Sequence, residues 1–191
     1  MSFLNKLRGR NDKKSTTAPK DGQTGPARQK RSAGSQEVLR LKLVPREWDK
    51  PDKEGADDVW GRGFMLHDER DLGYRWDDDT LAKRGVTICK VVGTNHTGDA
   101  IAHDNFGPGQ RVLLVREPDN PYDPNAIGVW DAEQTLRLGY IPREVCQKLC
   151  KSLDKGHTLN ALCLWEWITK PDEVRRGLRL LVTPEDVEVK L

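Results

Sequence analysis

The sequence predicts a mainly β fold of the α+β class: a small β-barrel of about six strands with one or two helices, behind a disordered basic tail. Three observations carry this expectation. From residue 86 onward, short apolar runs recur between clusters of Gly, Pro, Asn and Asp, the pattern of short strands joined by turns. From Pro142 to about Leu153 the apolar residues repeat at a helical period, while Phe3, Leu4 and Leu7 form at most a stripe of under two turns. Residues 8–37 are rich in Lys, Arg, Gly, Ser, Thr, Gln and Pro and hold hardly any large apolar side chain. Nothing in them offsets the entropy of ordering the backbone.

The tail is placed at residues 1–37, with nine Lys or Arg against three Asp or Glu. An arm of this kind serves as a solubility segment or gathers polyanion without sequence preference. The chain's net charge of +2 hides the imbalance, because residues 38–80 are acidic and residues 81–191 are neutral on balance. With 191 residues, 36% hydrophobic and 32% charged, there is material for one ordinary domain plus an extension. No apolar run approaches the ~20 residues that cross a bilayer. The N-terminus turns basic after Phe3 and Leu4 and lacks a signal-peptide core. These features point to a cytoplasmic protein with no membrane span. Four cysteines, Cys89, Cys146, Cys150 and Cys163, fit a reducing compartment as buried thiols; without a Cys-x-x-Cys pair they do not suggest zinc.

Residues 38–85 read as a β-containing appendage or extension. Within Val38–Val44 the side chains alternate apolar and basic from Leu39 to Leu43, the mark of a half-buried strand, and the charged stretch Pro45–Asp58 reads as turn-rich. Val59–Leu66 is a second strand whose Gly61 and Gly63 imply a bend or a close backbone approach. Asp77, Asp78 and Asp79 cannot share one face of a helix or strand, so they suit a cap or loop ahead of Thr80 better than a metal site.

Residues 86–191 form the main domain. Val86–Val92 is a strand ending at Gly93, and residues 94–110 are a polar connection with His96, His103 and Phe106. Arg111–Arg116, Ala126–Trp130 and Leu136–Ile141 are strands. Pro142 suits the first turn of a helix that runs to about Leu153, with Val145, Leu149 and Leu153 facing inward. Leu159–Ile168, Leu178–Val182 and Val187–Val189 complete the sheet.

The most informative stretch is Arg116–Val129. Pro118, Pro121 and Pro124 fix their own φ and restrain Glu117, Asn120 and Asp123 before them. A plain hairpin needs only two turn residues; this longer, stiffer loop is shaped to present Tyr122. The run Glu117-Pro-Asp-Asn-Pro-Tyr-Asp-Pro-Asn-Ala-Ile127, followed by Leu138-Gly-Tyr-Ile-Pro-Arg-Glu144 and preceded by Lys90-Val-Val-Gly93, resembles the HIRAN domain, of the stand-alone prokaryotic or phage type. That family also occurs at the N-terminus of some eukaryotic SWI/SNF-type translocases. The resemblance spans roughly residues 86–191 and implies an OB-like barrel that binds single-stranded DNA, notably 3′ ends, in DNA repair, replication or mobile-element processing. It further implies that Tyr122 stacks on a terminal base, that Asp123 accepts a hydrogen bond from a terminal hydroxyl, and that Tyr140 and Arg143 complete the pocket. Asn120 and Asn125 lie in the same motif. The family's arginine and aromatics after the first strand's glycine are replaced here by Thr94, Asn95 and His96, where Asn95 still hydrogen-bonds and His96 still stacks.

No catalytic constellation emerges. There is no Gly-x-x-x-x-Gly-Lys-Ser/Thr phosphate loop and no Gly-x-Ser-x-Gly elbow. His96, His103, Asp99 and Asp104 fit solvated or nucleic-acid-contacting side chains better than a nuclease site. The chain reads as a binding module, not an enzyme, with no cofactor and no metal; helicase or nuclease chemistry would come from a partner chain. The alternative is a protein–protein adaptor built on the same barrel and on the acidic, Trp-bearing segment 57–79.

Overall fold

The computed structural model describes residues 38–48, 59–169 and 174–191; the basic tail of residues 1–37 lies outside them. Ten strands and two α-helices are present among the described residues. In chain order they are β1 (Leu39–Trp48), β2 (Val59–His67), β3 (Gly73–Tyr74), α1 (Asp79–Lys83), β4 (Thr87–Lys90), β5 (Arg111–Arg116), β6 (Ile127–Asp131), β7 (Arg137–Tyr140), α2 (Arg143–Leu153), β8 (Leu159–Thr169), β9 (Val174–Pro184) and β10 (Val187–Lys190). The fold is mainly β, as the alternating apolar runs predict.

The sheet runs β10-β1-β2-β8-β5-β6-β7, with β9 on the other edge of β8, β4 on β9 and β3 on β2. Six strands, β4-β9-β8-β5-β6-β7, therefore follow one another around one core, matching the expected strand number. No ladder closes this ring. Val92, just past β4, instead bridges Tyr140 of β7: its N–H donates to the Tyr140 carbonyl (2.9 Å) and its carbonyl accepts from the Tyr140 N–H (2.8 Å). The other four strands are added by β1–β3 and β10.

Alternation along β8 and β9 separates two cores. Ala161, Cys163, Leu178, Leu180 and Val182 face inward with Cys89, Phe106, Ile127, Val129, Leu138 and Leu149. Leu164 and Leu181 face outward and are covered by Leu41, Leu43, Leu66, Leu81 and Val187. β1, β2 and α1 thus bury apolar side chains on the outside of the six-strand ring.

Several local expectations meet their physical cause. A Cβ on Gly61 would lie 2.6 Å from the Trp165 indole, and one on Gly63 2.3 Å from the Leu164 carbonyl, so β2 crosses β8 where only glycine fits. Asp78 caps α1 by accepting from the Thr80 N–H at 2.7 Å. Pro45–Trp48, expected as turn, instead prolongs β1: the β10 ladder stops at Lys42, so the missing N–H of Pro45 interrupts no bond on that edge. The inward face of α2 centres on Cys146, Leu149 and Cys150, while Val145 and Leu153 are only partly buried. Pro142 sits at the N-cap, one residue before the helix. Phe106, in the polar connection, is fully buried in the inner core.

Candidate nucleic-acid interface

The interface grows from the loop between β5 and β6. Prolines at 118, 121 and 124 leave the loop short of three backbone donors, and side chains supply the bonds that shape the turn. The Asn120 Oδ1 accepts from the N–H groups of Tyr122 (3.0 Å) and Asp123 (3.3 Å), and the Asp123 Oδ1 accepts from Asn125 (2.8 Å). Glu117 N–H donates to the Ala126 carbonyl at 3.0 Å, closing the base. Arg116 braces the far side, donating to the carbonyls of Pro124 and Ala126 and to Asp154. Tyr122, within this tied backbone, is 88% exposed, and among the described residues its hydroxyl has no partner.

Glu117 is the hub beneath it. One carboxylate oxygen accepts from the Asn120 amide (2.9 Å) and the Tyr140 hydroxyl (3.2 Å), and the other from the Arg137 guanidinium (3.4 Å). The carboxylate lies over Gly128, where a Cβ would stand 2.7 Å from it. Arg137 reaches this hub because β7 is bulged: Val129 pairs with Gly139 but Trp130 pairs with Arg137, so one residue is skipped. The shift puts Arg137 and Tyr140 on one face, where strict alternation would part them. The guanidinium then lies 5.0 Å from the Tyr140 ring centre and 5.8 Å from that of Trp130.

Arg143, the first residue of α2, donates Nε–H to the Asp123 Oδ2 (3.0 Å) and Nη2–H to the Tyr122 carbonyl (3.2 Å), tying helix to loop. The Asn125 N–H and then Arg143 hold the Asp123 carboxyl below the usual carboxylate range. Burial, followed by the Glu117 charge, raises the Tyr140 hydroxyl.

A cavity of about 580 Å³ lies between Val92, His96, Asn120, Tyr122, Asp123, Tyr140 and Arg143. A second hollow of about 520 Å³, lined by Glu117, Pro118, Pro121, Tyr122, Arg137 and Tyr140, adjoins it. Tyr122 borders both. Of the eight residues singled out in the sequence, six line the larger cavity: His96, Asn120, Tyr122, Asp123, Tyr140 and Arg143. Asn95 is exposed on the one-turn 3-10 helix that carries His96 and does not line it. Asn125 does not line it either: its N–H holds Asp123, and its carbonyl accepts from the Cys150 thiol at 3.0 Å. Glu117, Arg137 and Val92 join the site without having been anticipated. The Glu117 role follows from carboxylate chemistry once Gly128 is placed beneath it, but the bulge that delivers Arg137 has no mark in the apolar pattern.

This surface offers an exposed ring, a half-buried ring, and two guanidinium groups, each already paired with a carboxylate. It has the parts for stacking and for holding phosphate, and no reactive grouping. Among the described residues no three His, Cys, Asp or Glu come together to hold a metal, the cluster around His96 and His103 included. Burial pushes the Cys89 and Cys163 thiols up to about 12, so neither is a nucleophile. No described helix is long and apolar enough to cross a membrane.

Residues 84–175 match the family model of the HIRAN domain. No curated protein matches the chain. Among solved structures, a protein from Lactobacillus plantarum is similar, at 29% identity and a TM-score of 0.40, over 50% of this chain and 91% of that one. The HIRAN domain of human HLTF is similar at 21% identity and a TM-score of 0.38, over 51% of this chain and 74% of that one. Residues 84–175 of this chain are thus similar to the HIRAN domain, a match that supports a nucleic-acid-binding module.

Proposed function

We propose, with the HIRAN domain as premise, that the cavity beside Tyr122 takes the terminal nucleotide of a single DNA strand, at its 3′ end. The observation that carries this reading is the exposed Tyr122 ring on a loop whose backbone is held by side-chain bonds at nearly every turn. A ring fixed in that way stacks on a base without losing further freedom. Asp123 keeps lone pairs beyond its bonds to Asn125 and Arg143, and these accept the terminal hydroxyl. Arg143, mostly exposed, retains donors for the phosphate that links the next nucleotide. Tyr140 and His96 provide the facing walls.

The chain acts in this reading as a binding module in DNA repair, replication or mobile-element processing, and the chemistry on the captured strand belongs to a partner such as a helicase or nuclease. Fluorescence anisotropy at fixed salt tests it, with oligonucleotides ending in a 3′-hydroxyl, a 3′-phosphate or a hairpin. The 3′-hydroxyl strand should bind most tightly. Tyr122→Ala should weaken it roughly 5- to 150-fold, the equivalent of about 1–3 kcal/mol of stacking, with an unchanged circular dichroism spectrum. Equal binding of all three ends would remove end recognition, and an adaptor role for the barrel would take its place.

A further inference from the structure

Val92, in the wall of the Tyr122 cavity, has a same-face neighbour in Lys90. Cys89 and Val91 point into the core, and Lys90 and Val92 point out, about 7 Å apart along the strand. Lys90 pairs with Arg179 of β9, and Arg179 with Trp165 of β8. Here cations and indoles interleave. The Lys90 ammonium stands 5.8 Å from the Trp167 ring centre, and the Arg179 guanidinium 5.3 Å from Trp167 and 4.9 Å from Trp76. Trp76 meets Trp165 edge-on at 5.6 Å and 63°. A cavity of about 600 Å³ opens at this point, walled chiefly by Arg46, Met65, Arg75, Trp76, Ile88 and Arg179.

Its polar groups are unfinished. Three arginines line it against one acid, Asp77, which Arg75 already holds at 3.0 Å. Arg179 has no carboxylate partner among the described residues, and burial lowers its pKa. Its Nε–H and the Trp76 indole N–H are both buried without an acceptor. Buried donors left unpaired cost free energy, and a desolvated guanidinium between indoles attracts an anion that brings its own ring.

We propose that this cavity is a second contact on the same single strand: an internal base stacks at Trp76 while the neighbouring phosphate meets Arg46, Arg75 and Arg179. The outward face of β4, through Lys90 and Val92, connects it to the cavity at Tyr122. Where the strand ends rests on the reading given above; the second contact does not. Trp76, Arg75, Met65 and Arg46 all precede the HIRAN match at residues 84–175 and Arg179 follows it, so this contact is contributed largely from outside the matched residues.

The test measures the full-length protein by anisotropy at fixed salt against a trinucleotide and an oligothymidylate of roughly 12 nucleotides, inside the ~4–16-nucleotide range of OB-type sites. The parent should bind the longer strand more tightly. Trp76→Leu should weaken the longer strand about 5- to 150-fold and leave the trinucleotide unchanged. The pair Arg46→Gln and Arg75→Gln, at exposed positions, should do the same and flatten the salt dependence for the longer strand; it decides the matter where Trp76→Leu fails to fold. Tyr122→Ala should weaken both strands. If Tyr122→Ala changes neither strand while the arginine pair still weakens the longer one, end recognition fails and the second contact stands. A parent indifferent to strand length, or an arginine pair without effect on the longer strand, overturns the second contact.

Discussion

The cavity at Tyr122 and the cavity at Trp76 pair rings with arginines alike, but settle their polar groups in opposite ways. At Tyr122 the carboxylates and amides are consumed by one another: Glu117 takes three donors, Asn120 bonds on both of its ends, and Asp123 takes Arg143 and a backbone N–H. The Tyr122 ring is left without a partner, beside the remaining lone pairs of Asp123 and donors of Arg143. At Trp76 the rings pack together and two buried donors are left over instead. A site of the first kind is arranged before its ligand arrives; one of the second kind is completed by it.

The largest effect expected is on the support of the first cavity. Leu149, 2% exposed on α2, anchors the helix that delivers Arg143. Leu149→Ala should destabilise by about 2–5 kcal/mol in urea unfolding, whereas Tyr122→Ala should leave the midpoint unchanged. A reversal would mean that the helix is not the support assigned to it.

Next in size is Glu117→Gln, which keeps the shape and removes the charge that three donors face. Hydrogen bonds to a charged group are worth roughly 1.5–3 kcal/mol, and urea unfolding should show a loss in that range. A neutral result would mean that the first cavity is less tightly arranged than its distances imply.

Acid should act on the inner side of the molecule. Burial by itself raises the Asp131 carboxyl, but the N–H groups of Leu136 and Thr135, the Thr135 hydroxyl and the Asn105 amide outweigh it and bring the pKa to about 2. A carboxyl depressed below its unfolded value of about 3.9 stabilises the fold above that pH and loses its contribution as pH falls toward about 2. Urea melts across this window should show the parent weakening, and the difference between parent and Asp131→Asn shrinking. A difference independent of pH would mean that the hydrogen bonds do not favour the ionised form.

The smallest effect should come from Trp76→Phe, which deletes a donor that has no acceptor. Its urea midpoint should lie within about 0.5 kcal/mol of the parent. A loss as large as that of Glu117→Gln would show that the indole N–H has a partner, and the contrast between the cavities would fail.

Much of the scaffold could be read from residue types. The Gly61 and Gly63 crossing, the Asp78 cap, the proline-shaped loop and α2 all follow from local rules that act over a few residues. Five of the six expected cavity-lining residues came from a motif close in sequence or from its continuation in β7 and α2, and His96 from its place just after the glycine that ends the first strand. What could not be read depends on pairing between distant strands. The bulge in β7 sets Arg137 over Tyr140, the end of the β10 ladder lets Pro45 stay in β1, and the register of β4, β9 and β8 gathers Lys90, Arg179 and Trp165. The same limit hides Glu166, fully buried between Arg62 and Arg175, whose guanidinium also reaches the carbonyls of Ile101 and His103. A buried carboxylate needs such partners, and nothing in the run Leu-Trp-Glu-Trp announces them.

Photo-cross-linking tests the central claim most directly. Oligothymidylates carrying a single 5-iodouracil at the 3′ terminus, at the centre or at the 5′ terminus are irradiated with the full-length protein, and the cross-linked peptide is mapped by mass spectrometry. The 3′-terminal base should link to the peptide bearing Tyr122, and the 5′-terminal base should not. Equal linkage to that peptide from all three positions, or linkage of the 3′ base only to peptides away from Tyr122 and Tyr140, would contradict a strand end held in this cavity.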